Sequence, residues 1–591
     1  MDSRGNENGR SNSFRRNDSF GRNDSFVVQA GILAAAGFIS RIIGLLYRSP
    51  LAAVLGDLGS GYYQAAYSIY TIVLLISSYS IPSAISKVIA QKLAVREYRN
   101  AHRVFLCSTW YVLVIGGVAS LFLFFGAGLL VDGGAIPVLR VFAPTVFLYG
   151  LLGVLRGYFQ AHKSMVQTSV SQILEQIANA VISIVAAMVL IHIFAGNAES
   201  GIVIDEQVKA QPALFGCVLG AAGACYHASF ETNKAMYGAM GSAMGTGAGV
   251  LSGLLFMWGI YVLNKNLIQK RIRRDKTRQV DSYQDISRTI IHVVTPFILS
   301  TAAYNLSTSL NSVVYLKLYR FMKEIDETTA YANYGIFSYK AVTISNIPVA
   351  FASAMASAMI PSVAQLVAKR EIGQARDKIG MAIKTTMMIA IPSAVGLAVL
   401  AKPVTWLLFP QKETIDMAAT LLAALAVTVV FFSLSTLSSS ILQGIGKVNT
   451  PIYNAAIALV VQTVTLIGLL LMTDLDLYAL VIANVVYSGL MCVLNQMAVR
   501  KAIGYRQEYV RTFLIPLLAA AFMGAIAWVV YDLMYLITSS TIISVAPAIA
   551  VAVCVYFVML IAFRGVNEQE LRSVPKGYLL VKAAKKCRLM R

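Results

Sequence analysis

Apolar segments long enough to cross a lipid bilayer follow one another through almost the whole chain, from about residue 27 to residue 563. A helix needs roughly 20 mostly apolar residues to cross the hydrocarbon core, and only short polar breaks separate these segments. Charged residues make up 13% of the chain, against about 25% in an ordinary soluble domain. We therefore predict an all-α integral membrane protein with 14 transmembrane helices.

The distribution of basic residues predicts the orientation of these helices. The chain has a net charge of +21, and most Lys and Arg fall in the two termini and in alternate loops, such as 265–279. The other loops carry more Asp and Glu than Lys and Arg. Because basic loops stay on the cytoplasmic side, we expect a multi-pass membrane protein with both termini in the cytoplasm. Contact with anionic lipid explains this charge better than nucleic acid does.

Two short motifs recur along the chain. IPSA at 81–84 returns as IPSV at 360–363, and YFQAHK at 158–163 is echoed by ILQGIGK at 441–447. Both offsets are roughly 280 residues and six predicted helices. An even number of helices preserves orientation, so the echoes predict two six-helix lobes in parallel pseudo-twofold repeat. Two further helices follow at the C-terminus.

The predicted organisation has six parts and one insertion. These are a disordered cytoplasmic tail (1–26), an N-terminal lobe (27–263) with an outside insertion (196–235), a basic cytoplasmic linker (264–285), a C-terminal lobe (286–503), helices 13 and 14 (504–564), and a basic cytoplasmic tail (565–591).

Ionisable residues within the predicted spans are candidates for function, because each costs several kcal/mol unless it faces protein or water. Arg41 and Arg48 lie seven residues apart, which places both on one face of the first helix. A guanidinium group binds phosphate oxygens through two parallel hydrogen bonds, so this face suits an anionic substrate. Alternatively, Arg48 extends to the outer interface or pairs with Asp57.

Four further residues complete the predicted substrate-binding set with Arg41 and Arg48. They are Arg156 and Gln160 in helix 4, Glu175 in helix 5 and Lys340 in helix 8. Two interpretations of Arg156 and Glu175 are open, since they could form a buried ion pair that holds the lobe together or could contact the substrate.

Catalytic and metal-binding motifs do not occur in the sequence. There is no Walker motif, HExxH or GxSxG, and the six Cys form no CxxC pair. These motifs supply nucleotide binding, metal binding and nucleophilic catalysis. We therefore predict no enzyme, no catalytic residue, no metal and no cofactor, except for a coupling ion of unknown identity.

Four segments carry a family resemblance. They are SRIIGLLYR at 40–48, 63–91, RGYFQAHKSMVQTSVSQILEQ at 156–176, and LQGIGKVNTPIYN at 442–454. They resemble the polysaccharide-transporter and oligosaccharide-flippase branch of the MATE-like MOP superfamily, most closely stage V sporulation protein B and MurJ-type lipid II flippases. The resemblance implies two six-helix lobes around a central cavity that opens to each side in turn.

The resemblance also implies a cargo, a polyprenyl-diphosphate-linked saccharide such as lipid II or another cell-envelope glycan precursor. The helix 1 arginines of the family correspond to Arg41 and Arg48, and its helix 4 motif to Arg156 and Gln160. The resemblance implies a location in the bacterial cytoplasmic membrane. We predict a monomeric flippase that contacts this lipid-linked anionic saccharide and membrane lipids but does not bind nucleic acid. The alternatives are a cation-coupled multidrug exporter of the same fold and a non-transporting scaffold for cell-wall synthesis.

Overall fold

The computed structural model describes residues 36–566, apart from 38, 76, 78–80, 163, 196–229 and 276–279. These residues are helical almost throughout and contain no strand, which confirms the all-α prediction for this part of the chain. The predictions for the tail 1–26, most of the insertion 196–235 and nearly all of the tail 565–591 fall outside the described residues.

The helices follow one another with short connections. In chain order they are α1 (Ile39–Leu46), α2 (Arg48–Leu74), α3 (Ile81–Ala94), α4 (Tyr98–Leu130), α5 (Ala135–Ala161), α6 (Met165–Leu190), α7 (Phe230–Arg273), α8 (Tyr283–Val313), α9 (Glu327–Gly335), α10 (Thr343–Ala368), α11 (Ile372–Val399), α12 (Ala401–Leu408), α13 (Ile415–Gly444), α14 (Asn449–Met472), α15 (Leu477–Ile503), α16 (Ile515–Thr538) and α17 (Thr541–Ala562). Short π-helical turns extend several of them, including Ile336–Val342 between α9 and α10.

Ten helices among the described residues are long and apolar enough to span a membrane, and eleven if α1 and α2 count as one bent span. The chain is thus a multi-pass membrane protein, while the count of 14 remains a prediction. The helix α3 has only 14 residues, which is too short for a span.

Two breaks interrupt the helix between Ile39 and Leu74. The axis bends by 47° between α1 and α2. Within α2, Gly56 leaves the helical conformation at φ 68° and ψ −177°, which glycine adopts at little cost because it lacks a Cβ. The helix kinks at this glycine. Asp57 follows the kink and lies between the first two predicted spans, at the end of the molecule that the charge distribution predicts to face outside, here called the outer end.

The α3–α4 and α10–α11 connections have the same backbone turn. Arg96 has φ 63° and Arg370 has φ 60°, both in the left-handed region. The following residue, Glu97 or Glu371, donates its amide hydrogen to the carbonyl oxygen five residues earlier, at 3.0 Å in both turns. This is the hydrogen-bond pattern of a Schellman-type helix end, and it occurs at the Arg-Glu pairs that follow the repeated IPS motifs.

A close glycine contact accompanies each copy of the turn. A Cβ added to Gly157 on α5 would lie 2.8 Å from the carbonyl oxygen of Pro82 on α3. A Cβ added to Gly444 on α13 would lie 2.9 Å from the carbonyl oxygen of Ile360 on α10. Both pairs of helices therefore approach backbone to backbone at a position where only glycine fits.

Small residues also pack α7 against α6. Gly241, Gly245 and Gly249 recur every four residues on one face of α7, the spacing that lets membrane helices approach closely. A Cβ at Gly249 would lie 2.6 Å from the carbonyl oxygen of Glu175. This close packing fixes the position of α6 and, with it, the Glu175 side chain.

The two halves of the chain cross at the outer end through another pair of glycines. Gly61 on α2 lies against the backbone of Tyr331 on α9, and Gly335 on α9 lies against the backbone of Asp57. A side chain at either glycine would collide with that backbone. The outer end is thus closed by direct contact between α2 and α9.

Candidate substrate-binding cavity

A cavity of about 770 Å³ lies between the two halves, beneath the closed outer end. Helices α1, α2, α6 and α7 form one wall, and residues 343–353 of α10 form the other. Its size falls within the range of about 300–1,000 Å³ found for small-molecule sites. The cavity is thus large enough for the polar part of a sizeable substrate.

Arg41 and Arg48 both line this cavity, although they lie in α1 and α2 with the 47° bend between them instead of on one straight helix. The Arg48 guanidinium donates a hydrogen bond to the Thr343 hydroxyl at 2.7 Å and lies 5.4 Å from the centre of the Tyr339 ring. Arg41 donates to the carbonyl oxygen of Ala350 at 3.3 Å. Each arginine therefore reaches from the first half of the chain to α10 and its preceding turn in the second half.

Neither alternative environment of Arg48 is the one observed. Arg48 is partly buried and bonds to α10 instead of extending to the outer interface. The Asp57 carboxylate is paired with Lys340. The hydroxyl partner of Arg48 is neutral, so its positive charge has no carboxylate bonded to it among the interactions found in the described chain, and an anion entering the cavity would meet that charge.

Three tyrosines from α2 line the cavity beside the arginines. Tyr63, Tyr67 and Tyr70 follow at spacings of four and three residues, so they share one helix face. The rings of Tyr63 and Tyr67 stack with centroids 5.7 Å apart, and Tyr339 meets Tyr63 edge-on at 6.1 Å. Rings of this kind offer an apolar face with a polar hydroxyl. The spacing is visible in the sequence, although reasoning from intramembrane charge missed these residues.

Glu175 lines the cavity, whereas Arg156 lies behind it and outside the lining. The two side chains form an ion pair at 2.7 Å, with exposed fractions of 14% for Glu175 and 7% for Arg156. Arg156 also donates to the Ser171 hydroxyl at 2.8 Å. Of the two interpretations left open by the sequence, the structure shows the ion pair, and Arg156 thereby orients the carboxylate that faces the cavity.

Asn179 continues the α6 face that carries Glu175. Its amide donates to the Tyr47 hydroxyl at 3.2 Å, and it accepts a hydrogen bond from Ser183 at 2.8 Å. Tyr47 and Asn179 both line the cavity. Gln160, in contrast, lies in the last turn of α5 and outside the cavity lining.

Lys340 does not line the cavity either. It is 1% exposed, and its ammonium group pairs with the Asp57 carboxylate, which is 16% exposed. Lys340 also donates to the Thr414 hydroxyl at 2.7 Å, and Thr414 donates to Asp57 at 2.7 Å. We call these three side chains the outer ion-pair cluster. It joins α2 of the first half to the π-helical turn and the α12–α13 loop of the second.

Among the described residues, no group of three or more His, Cys, Asp and Glu side chains is arranged to hold a metal ion. The charged groups at the cavity are therefore two guanidinium groups and one carboxylate already paired with Arg156. This set favours binding of an anion over coordination of a divalent cation.

A model of the lipid II flippase MurJ family matches residues 99–546, which is most of the chain. The chain belongs to this family. It is 22% identical to the lipid II flippase MurJ of Bacillus subtilis (strain 168) over 89% of this chain and 93% of that protein. It is also 22% identical to stage V sporulation protein B of the same organism, over 92% of this chain and 96% of that protein. The resemblance inferred from the sequence motifs is confirmed.

Solved structures show the same fold. The lipid II flippase MurJ in an inward closed conformation matches with a TM-score of 0.60 and 14% identity, covering 90% of this chain and 98% of that one. A multidrug resistance MATE family transporter of the MOP superfamily, in an inward-facing conformation, matches with a TM-score of 0.57 and 16% identity, covering 80% and 98%. This MurJ-family chain is therefore a multi-pass membrane protein of a transporter family.

Proposed function

We propose that this protein is a flippase for a polyprenyl-diphosphate-linked saccharide, lipid II or another cell-envelope glycan precursor. The observation that carries the proposal is the placement of Arg41 and Arg48 in one cavity between the two halves of the chain. Guanidinium groups bind phosphate oxygens through paired, charge-assisted hydrogen bonds, which suits a diphosphate. The family match supports this cargo class.

The aromatic face of α2 suits the sugar part of the cargo. Tyr63, Tyr67 and Tyr70 line the same cavity as the arginines, and Tyr67 is the least buried of the three. In the proposed complex, a sugar ring packs against Tyr67, and the sugar hydroxyls bond to Asn179 and Thr246, two further polar residues of the lining. The lipid tail stays in the bilayer, so only the polar head enters the cavity.

Transport by alternating access completes the proposal. The contacts of α2 with α9 and the outer ion-pair cluster close the outer end, so the described conformation would receive cargo from the cytoplasmic side. The duplicated turns at Arg96 and Arg370 and the paired contacts of Gly157 and Gly444 support two parallel six-helix lobes that can rock against each other.

The remaining architecture is proposed from the sequence. It comprises 14 spans in the bacterial cytoplasmic membrane, both termini inside, a monomeric protein, and the domain limits predicted above. The boundaries differ in detail, because α7 continues to Arg273 and thus through the first ten residues of the predicted linker 264–285. Energy would come from the membrane potential or from a coupling ion, and no further cofactor and no enzymatic reaction are proposed.

A cation-coupled exporter is the second candidate, because Glu175 brings a carboxylate into the cavity. Such a carrier needs a carboxylate that can take up and release a cation. Here the Glu175 carboxylate already accepts a hydrogen bond from Arg156, whose charge compensates its own. The flippase is therefore the better-supported reading, and uptake of the cation would require this ion pair to separate.

Transport of lipid II by the purified protein in vesicles tests the proposal. We expect Arg41→Ala and Arg48→Ala each to lower the transport rate by at least about tenfold. The reason is that each variant loses one charge-assisted contact, which is worth about 1.5–3 kcal/mol. Arg500→Ala is the matched control, because Arg500 is exposed in the last turn of α15 and outside the cavity lining. Unchanged transport in both cavity variants would refute the anion-binding role.

A second experiment, growth complementation, tests which lipid-linked saccharide is transported. The wild-type protein should restore growth of a bacterium depleted of its lipid II flippase, and the two cavity variants should not. If the wild-type protein fails to restore growth but moves another lipid-linked saccharide in vesicles through Arg41 and Arg48, the flippase proposal stands with a different sugar. Export of cationic drugs that depends on Glu175 and not on the arginines would favour the exporter.

A further inference from the structure

A second cavity, of about 180 Å³, lies at the end of the first half that is predicted to face the cytoplasm. It forms where the end of α3, the start of α4, the end of α5, the start of α6 and the last turns of α7 meet. It shares no lining residue with the central cavity. The proposed transport mechanism therefore does not explain it.

The polar groups of this cavity suit an anion. Arg271 of α7 lines it together with His102, His162 and Asn264, and no carboxylate belongs to its described lining. Nδ1 of His102 is buried without a hydrogen-bond partner among the described residues. The ring of His162 is held by a 2.9 Å hydrogen bond between its Nδ1 and the Tyr158 carbonyl oxygen, which leaves Nε2 free of that contact.

The position of the cavity on α7 identifies the kind of anion. α7 has 44 residues, which at 1.5 Å per residue is about 66 Å, twice the thickness of the hydrocarbon core. Trp258 is 58% exposed and Leu263 is 83% exposed on α7, as expected for a face against lipid chains. Lys270 and Arg271 follow within two turns. The cavity thus lies where apolar surface gives way to charge, at the level of lipid headgroups.

We propose that this cavity binds the phosphate group of an anionic phospholipid of the cytoplasmic leaflet. The Arg271 guanidinium contacts the phosphate, Asn264 and the two histidine rings supply hydrogen-bonding groups around it, and the acyl chains lie along the exposed apolar face of α7. The bound lipid would connect α7, which continues into the linker between the halves, to the ends of α3, α4 and α5. The site is separate from the proposed cargo site.

Native mass spectrometry of the full-length protein in detergent tests this proposal. Dioleoylphosphatidylglycerol and dioleoylphosphatidylcholine are added together, and the ratio of bound to added lipid is measured for each. We expect wild type to retain the anionic lipid in preference, and Arg271→Gln to lower that preference by about fivefold, the order expected for one cation near an anionic surface. Asn264→Phe, which fills the cavity without changing charge, should lower it as well.

Arg273→Gln is the matched control, because it removes the same charge from the same exposed helix end without lying in the cavity lining. The proposal fails if Arg271→Gln and Arg273→Gln lower the preference equally, or if neither cavity variant changes it. Inorganic phosphate or glycerol 3-phosphate is then added alone. If either displaces the lipid fully at millimolar concentration, the cavity binds free phosphate and the lipid assignment is wrong.

Because Arg271 and Asn264 are both exposed, both variants should elute as monodisperse protein. Vesicle transport by Arg271→Gln separates this site from the proposed function. Loss of lipid preference with retained transport would leave the flippase proposal intact, and failure of the arginine variants in the central cavity would leave the lipid site intact.

Discussion

Removing Lys340 should open the outer end of the transporter. Lys340→Met deletes the ammonium group that pairs with Asp57 and bonds to Thr414 across the two halves. The Asp57 carboxylate then remains buried against α9 without its cation. Separation of the two halves at this end would hydrate the carboxylate, so the substitution favours the conformation in which the outer end is open.

The free-energy change caused by Lys340→Met follows from how deeply the ion pair is buried. Removing one partner of a buried ion pair costs about 3–5 kcal/mol. Asp57 is 16% exposed and keeps its hydrogen bond from Thr414, so Lys340→Met belongs at the lower end, about 3 kcal/mol. This equals a change of roughly 100-fold in the ratio of closed to open protein. Asp57→Asn leaves an ammonium group that is 1% exposed and should have the larger effect.

Cysteine labelling from outside intact cells measures this ratio. In a background without the six native cysteines, Asn346→Cys places a thiol in the central cavity. A membrane-impermeant maleimide should label it slowly in the parent and much faster in Lys340→Met. Exchanging the charges, with Asp57→Lys and Lys340→Asp together, should restore slow labelling.

Lys402→Met is the matched control for this experiment. Lys402 pairs with Asp416 at 2.6 Å, yet the two side chains are 65% and 75% exposed. Exposed pairs contribute about 0–1 kcal/mol, so labelling should stay slow. Equal labelling of the parent and Lys340→Met, with both proteins monodisperse, would show that the outer ion-pair cluster does not hold the outer end closed.

Two further predictions concern the fold around the cavity. Arg156→Met should lower the free energy of unfolding by about 3 kcal/mol, measured as a lower melting temperature in detergent. Adding Glu175→Gln should recover most of this loss. A double variant no more stable than Arg156→Met would contradict the ion-pair role. Asp326 caps α9 by accepting from Thr328, and the hydrogen bond from the Thr328 hydroxyl holds the pKa of Asp326 below its ordinary value. The stabilisation of α9 by this cap is therefore complete above about pH 4 and is lost as the pH falls through the lowered pKa. Asp326→Ala should thus speed amide exchange at the start of α9 far more at pH 7 than at pH 2. Equal effects at both pH values would refute this prediction.

Local spacing predicted that the two cavity arginines lie together, and they do so across the bend between α1 and α2. Residues 41 and 48 lie two turns apart, so the sequence alone puts their side chains on one helix face. The cost of a charge in lipid directs that face toward protein or water. Which helix it meets depends on packing between distant segments, and the contacts of Arg41 and Arg48 with α10 could not be derived from spacing.

The environment of Lys340 could not be predicted from local spacing. An intramembrane lysine is a sound candidate for substrate binding, and nothing local distinguishes it from Arg48. Its partner Asp57 is far away in sequence and reaches it because α2 kinks at Gly56 and because Gly61 and Gly335 let α2 and α9 touch. The glycines that decide the environment of the lysine carry no charge signal, so only the assembled fold reveals the pairing.

The cavity and the outer ion-pair cluster meet at two consecutive residues. The Arg48 guanidinium lies over the ring of Tyr339 and bonds to Thr343, and Lys340, the next residue of the same π-helical turn, holds Asp57. A diphosphate that draws Arg48 toward itself must weaken the contacts of Arg48 with this turn. Cargo that weakens these contacts therefore acts on the same π-helical turn that carries Lys340. Cargo binding and opening of the outer end thus both involve this turn. By linkage, the opening caused by Lys340→Met should then change cargo affinity more in protein that has Arg48 than in Arg48→Ala, where Arg41 alone still reaches α10.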